Sequence, residues 1–170
     1  MKALLCGLVL ASSVVAHADV LWGKSELGQS VEEFKAKYPG AMRVDDPYKG
    51  KQPDGSMPLY GIAPVSIDGK EYDVSFYFLN ERLVRVWLSN LSQDDGPACR
   101  SRFNNFIELL RSKYGKELKN IPAGRTGSVG SASWMNGKVD ISLYSISPSE
   151  DSCRTQIIYS GRLSSEAEKL

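Results

Sequence analysis

The sequence predicts an α+β fold: an antiparallel sheet with helices packed on one face, arranged as two tandem helix-plus-hairpin units. Three observations predict it. Residues 98–115 carry Cys99, Phe103, Phe106, Ile107, Leu110 and Tyr114 at intervals of three and four, with Arg100, Arg102, Asn104, Asn105, Glu108, Arg111 and Lys113 between them, the spacing of one amphipathic helix. Runs of period-two alternation lie on both sides of it, and a helix with one apolar stripe must bury that stripe on something. Asp68-Gly69 and Asn136-Gly137 each separate two such runs and supply the positive φ angles that a tight hairpin needs.

Taken in order, the chain opens on Lys2, an apolar run over 3–16 and small residues at Ala16 and Ala18, the pattern of a signal peptide over 1–18 cut before Asp19. The run is short for a membrane span, and Cys6 lies too early for a lipid-attachment site. Ser30 and Glu33 form a capping box, Val31, Phe34 and Tyr38 share a helical face, and Pro39-Gly40 ends the helix. From 41 to 64 the chain carries Pro47, Pro53, Pro58 and Pro64 with Gly50, Gly55 and Gly61, so a long loop with one short strand near 42–44 is expected. Such a loop is either functional or mobile.

Residues 65–67 and 70–79 form the first hairpin, with Tyr72, Val74, Phe76 and Phe78 alternating with Asp73, Ser75 and Tyr77. In 82–88, alternation places Val84, Val86 and Leu88 on one face and Leu83, Arg85 and Trp87 on the other. Asp94, Asp95 and Pro97 start the central helix and Gly115 stops it. Residues 116–125 read as a loop and 128–135 as a strand. Residues 138–145 form a strand with Val139, Ile141 and Leu143 opposite Asp140, Ser142 and Tyr144, and a turn over 147–152 leads to a last strand over 154–160. The resulting division is a first α+β half over 19–91, a second over 92–163 and a flexible tail over 164–170; the repeated order of helix, loop, hairpin and strand reads as an internal repeat.

Composition bounds the chemistry. The chain has 21 basic and 20 acidic side chains; cleavage of the leader removes Lys2 and no acid, which leaves a formally neutral protein with no field to attract nucleic acid. The one histidine is His17, inside the leader. A mature chain without histidine has no histidine-assisted serine or cysteine catalysis and no usual zinc site. Cleavage also leaves Cys99 and Cys153 as the two remaining cysteines, which in a periplasmic or secreted domain pair as one disulfide. Two buried free thiols are the alternative.

Leu27, Gly28, Gln29 and Ser30, with Phe34 on the helix, Tyr38-Pro39 after it and the later pair Arg82-Leu83, resemble the opening of the superfamily that holds the outer-membrane assembly lipoprotein BamE and the β-lactamase inhibitor protein. The resemblance covers about a quarter of the chain. It implies short helices on an antiparallel sheet and, by similarity to the inhibitor, two tandem copies whose concave sheet grips a partner protein. The chain lacks the lipid-attachment cysteine of the BamE pattern, so no membrane anchor is implied. Because the matching residues are framework, the resemblance carries over no binding residue.

No cofactor or metal is expected. The glycines of 124–131 lack the Gly-Lys-Ser/Thr ending and the strand-to-helix setting of a phosphate loop, and Asp45, Asp46 and Asp54 lack calcium-loop spacing. Alternation sends Tyr77, Arg85 and Trp87 to the sheet face away from the helices, and Tyr144 and Ile158 likewise. Tyr, Trp and Arg are the side chains that carry binding energy under a partner, so Tyr77, Arg85, Trp87 and Tyr144 are the candidate partner-binding residues. The same face is either bare or covered by the 41–64 loop. Trp22 and Trp134 read as core. The expected function is that of an exported, non-enzymatic protein-binding module, an inhibitor or an envelope-assembly factor, whose partner is another protein of the cell envelope or beyond. The alternatives are a carboxylate-dependent glycan hydrolase, which needs two acids facing each other across a cleft, and a small-ligand or lipid carrier, which needs an apolar cavity.

Overall fold

Long alternating strands dominate the architecture. The computed structural model describes residues 19–122, 129–149 and 152–162; the expected leader, the 164–170 tail, most of the glycine-rich 124–131 stretch and the middle of the 147–152 turn lie outside them. A small ribbon of β1 (Val20–Trp22) and β2 (Ser25–Glu26) precedes α1 (Val31–Lys37) and β3 (Met42–Arg43). A 3-10 turn (Pro47–Gly50) leads to β4 (Met57–Ile67), β5 (Lys70–Leu79) and β6 (Arg82–Ser92). After α2 (Gly96–Tyr114) come β7 (Lys119–Ile121), β8 (Val129–Asn136), β9 (Val139–Ser149) and β10 (Ser152–Gly161).

Strands β3 to β10 form one eight-stranded antiparallel sheet in the order β3-β4-β5-β6-β10-β9-β8-β7. This corrects the expected α+β pair of tandem helix-plus-hairpin units: strands take 52% and helix 23% of the described residues, and a single sheet runs through both halves of the chain. The seam is β6 against β10, in register from Cys153↔Ser92 to Ser160↔Arg85. Both strands are long and apolar at alternate positions. Left apart, each would present a row of unpaired backbone groups at a sheet edge; together they put those groups in the middle and leave β3 and β7, two and three residues long, at the rims.

Residues 57–67, expected as loop and hairpin start, are one strand despite Pro58 and Pro64. The register shifts between Pro58 and Tyr60 and again between Ile62 and Val65, so the prolines fall at bulges, where a missing N–H costs no ladder bond. The β4–β5 turn has Asp68 at φ 51° and Gly69 at φ 70°, as the dipeptide predicts. At the β8–β9 turn Asn136 stays in the ladder opposite Val139 and Gly137 alone takes φ 57°, a glycine-first turn.

Ser30 caps α1, its hydroxyl accepting from the Glu33 N–H while the Glu33 carboxylate accepts from the Ser30 N–H at 2.7 Å. Phe34, the buried residue of this helix, packs tilted against Phe76 at 4.6 Å and edge-on to Phe78 at 5.6 Å between ring centroids. Asp95 caps α2 by accepting from the Ala98 N–H at 2.8 Å, and Gly115 closes it at φ 81°. Phe106 of α2 meets Tyr72 edge-on at 5.7 Å, and Trp134, 1% exposed, donates its indole N–H to the Gly115 carbonyl at 3.0 Å. These side chains, with Val74, Val86, Leu88, Ile141, Leu143 and Ile157, make one apolar core between the sheet and the two helices. Each fully buried Phe or Leu contributes about 1.5–3 kcal/mol relative to exposure.

The helix stripe also buries Arg102, which the sequence places among the polar positions. Its guanidinium pairs with Asp94 and donates to Ser92 Oγ at 2.7 Å. Cys99 and Cys153 form the expected disulfide, with Cα atoms 5.6 Å apart and both residues buried. It ties the first turn of α2 to the start of β10.

Candidate functional site

Ladder register fixes which side chains share the reverse face of the sheet, away from the helices. One row crosses all eight strands as Lys119, Ser133, Ser142, Ile158, Trp87, Ser75, Gly61 and Met42. The row to one side contains Ser131, Tyr144, Gln156, Ser89 and Asp73. The row to the other side contains Asp140, Ser160, Arg85, Tyr77 and Pro58. Serines are interspersed with larger side chains in these rows, and Trp87 and Tyr144 stand about 12 Å apart, two strand spacings across and two residues along. Burial alternates accordingly: Ala132, Trp134, Ile141, Leu143 and Ile157 are buried, while Ser131, Ser133, Ser142, Tyr144 and Ile158 are half-buried.

The four candidate residues fall on this face but in different settings. Tyr77 is 7% exposed; Trp87 stacks on it with ring centroids 5.7 Å apart, and the Arg85 guanidinium lies 5.9 Å from its ring centre. Arg85 donates from Nη2 to Asp54 Oδ2 at 2.9 Å, from Nη1 to Ser56 Oγ at 3.2 Å and from Nε to Ser160 Oγ at 2.9 Å. Asp54 in turn accepts from the Ser56 N–H and hydroxyl at 2.9 and 2.6 Å. Asp54 and Ser56 thus clamp Arg85, which lies over buried Tyr77, while Trp87 and Tyr144 are half-buried. Burial raises the Tyr77 phenol pKa against the opposing Arg85 charge. At Asp54 burial also pushes upward, but hydrogen bonds from Ser56 and the Arg85 charge prevail and the carboxyl pKa is lowered.

Leu83 departs from the expected face. The β5–β6 register shifts between Tyr77 and Phe78, so Tyr77 faces Arg85 but Phe78 faces Leu83, and the extra residue, Val84, turns Leu83 into the core. The bulge is held from outside: the Gly28 N–H donates to the Leu83 carbonyl at 2.8 Å, the Leu83 N–H donates to the Gln29 carbonyl at 2.9 Å, and Ser30 bridges Arg82.

Beyond Tyr144 the face dips into a depression of ≈ 140 Å³ lined by Lys119, Ser131, Ala132, Ser133, Ser142 and Tyr144. Neither this depression nor the Asp54–Ser56 clamp is among the features expected from the sequence. The serines at 131 and 133 alternate with Ala132 and Trp134, a legible signal; the clamp joins residues about 30 apart and has none. Among the described residues four carboxyls have displaced pKa values, Glu33, Asp54, Asp94 and Glu117, all lowered, the direction opposite to that of a general acid. Among the described residues no group of three or more His, Cys, Asp or Glu side chains is placed to hold a metal ion, and no helix is long and apolar enough to cross a membrane. No protein-family model matches the chain, and neither a curated protein nor a solved structure matches it.

Proposed function

We propose that this chain is an exported, non-enzymatic protein-binding module of the inhibitor or envelope-assembly type, and that it meets its partner with the reverse face of the sheet. The asymmetry of the two faces carries the reading. Both helices and the buried apolar core lie on one side, and the other side holds Trp87, Tyr144 and Ile158 interspersed with serines and other polar residues. Small residues let a partner's backbone come close, and half-buried aromatic rings supply contact area at low entropic cost. Trp87 stacks on Tyr77, over whose ring the clamped Arg85 guanidinium lies, so the contact is preorganised. The disulfide and the leader-like residues 1–18 support an oxidising compartment outside the cytoplasm. The likeness of Leu27, Gly28, Gln29 and Ser30 to the BamE and β-lactamase-inhibitor superfamily supports the same reading.

The test is affinity capture from cell-envelope extract with the mature protein and with the variant Trp87→Ala/Tyr144→Ala. Loss of the captured protein with thermal stability nearly intact is the expected outcome. Undiminished capture by the double variant overturns the assignment of the face, and a collapse of stability shows that the two rings are core.

A further inference from the structure

The helix-covered side of the sheet is open at one place. Between α2 and β1 lies a cleft of ≈ 290 Å³ that reaches the core side chains Leu88, Ile157 and Tyr159, each under 5% exposed. Trp22 and Ile67 wall one flank, and Phe106 and Leu110 of α2 wall the other. The rim carries Leu109, 51% exposed, with Ser112 and Lys113. Phe106, Leu109, Leu110 and Lys113 recur at the three- and four-residue spacing of one helical face, so a single stripe runs from the well to a cation at its mouth.

The charges around the mouth are unbalanced. No Asp or Glu lines the cleft. Arg111, also near the end of α2, is neutralised by Glu108 at 2.6 Å and Glu117 at 2.7 Å. The Lys113 ammonium lies 5.1 Å from the centre of the Tyr114 ring and makes no ion pair among the described residues. An apolar well with one uncompensated cation at its lip and no acid inside complements an apolar chain ending in an anion. The volume lies at the lower edge of ligand pockets, roughly 300–1,000 Å³, which suits one short chain and excludes a two-chain lipid or a helix. The Ser112 hydroxyl is already donated to the Leu109 carbonyl at 2.8 Å, so recognition of the head group falls to Lys113.

We propose that this cleft binds a free, single-chain aliphatic carboxylate, its chain laid along Trp22, Ile67 and Leu109 over the buried core side chains and its head on the Lys113 ammonium. The site lies on the opposite side of the sheet from Trp87 and Tyr144 and does not depend on their role.

Isothermal titration of the whole mature protein with decanoate, decanol and decyltrimethylammonium, each kept monomeric, tests it. Decanoate is expected to bind one-to-one and about tenfold more tightly than the cation, the size of one charge-assisted contact. Lys113→Glu reverses that order, Lys113→Gln abolishes the discrimination, and Leu109→Glu weakens decanoate binding; all three substitutions fall at exposed positions, and melting curves confirm the fold. Trp87→Ala/Tyr144→Ala leaves decanoate binding unchanged, which separates this site from the reverse face. Absence of binding up to the solubility limit, or equal affinity for the three ligands in wild type and Lys113→Glu alike, overturns the proposal.

Discussion

The two faces of the sheet are built by the same strands and differ in almost every side-chain property. In β8 and β9 the residues toward the helices are Ala132, Trp134, Ile141 and Leu143, none more than 3% exposed, whereas their immediate neighbours Ser131, Ser133, Ser142 and Tyr144 are half-buried. A period of two means that a single strand spends alternate residues on two separate tasks. On the helix side volume is matched to volume: Phe34 against Phe76 and Phe78, Phe106 against Tyr72. On the reverse side serines alternate with larger residues, several of them organised in pairs and clamps, Tyr77 beside Trp87 and Arg85 between Asp54 and Ser160. The fold rests on the first side, and the second is available for contact.

Truncation on each side measures that difference. Phe76→Ala removes a fully buried ring and is expected to cost about 3–5 kcal/mol by chemical denaturation. Trp87→Ala loses its stacking on Tyr77 and the burial of part of one ring and is expected to cost less, about 1–2 kcal/mol; equal losses break the comparison. The disulfide belongs to the helix side, where it pins α2 to β10. The 54-residue separation of its cysteines corresponds to about 4 kcal/mol in the chain-entropy model, so Cys99→Ser/Cys153→Ser is expected to unfold at markedly lower denaturant than the oxidised protein and at the same concentration as the reduced one.

A smaller effect tests the end of α2. Two hydrogen bonds from Arg111 hold the Glu117 carboxyl pKa at about 2, below its ordinary 4.5. A depressed carboxyl stabilises the fold fully above its unfolded value, and that contribution fades as pH falls through the folded value. Melting temperature is therefore expected to drop between about pH 4.5 and about pH 2, and Glu117→Gln to flatten that slope. The smallest effect is at the β5–β6 turn, where Asn80 and Glu81 both have positive φ, 47° and 62°. Glu81→Gly relieves a side-chain penalty there and is expected to raise stability by about 0.5 kcal/mol while leaving both faces unchanged.

Much of this arrangement is legible in the residues. Period-two alternation identifies β5, β6, β8, β9 and β10, the capping residues Ser30 and Asp95 begin both helices, and the Cys99–Cys153 pair follows from the count of cysteines left after the leader. The errors have specific physical origins. Four prolines and three glycines over 41–64 read as loop because local propensity opposes a strand, yet cross-strand pairing with β5 overrides it at two bulges. One extra residue at Val84 reverses the side on which Leu83 lies, and its cause is the backbone of Gly28 and Gln29, more than fifty positions away. The pairing of β6 with β10, which makes one sheet where two units were expected, joins residues about 70 apart, and nothing local to either strand specifies it. For the candidate site, the side of the sheet is readable and the degree of cover is not: Asp54 and Ser56 clamp Arg85 over buried Tyr77, and Trp87 and Tyr144 are half-buried.

The most direct measurement is site-specific photocrosslinking in envelope extract, with a photoreactive residue placed in turn at Ser142, on the reverse face, and at Glu108, exposed on α2. A discrete adduct from position 142 and none from position 108 is the result this account predicts. An adduct from position 108 alone, or equally from both, would contradict it.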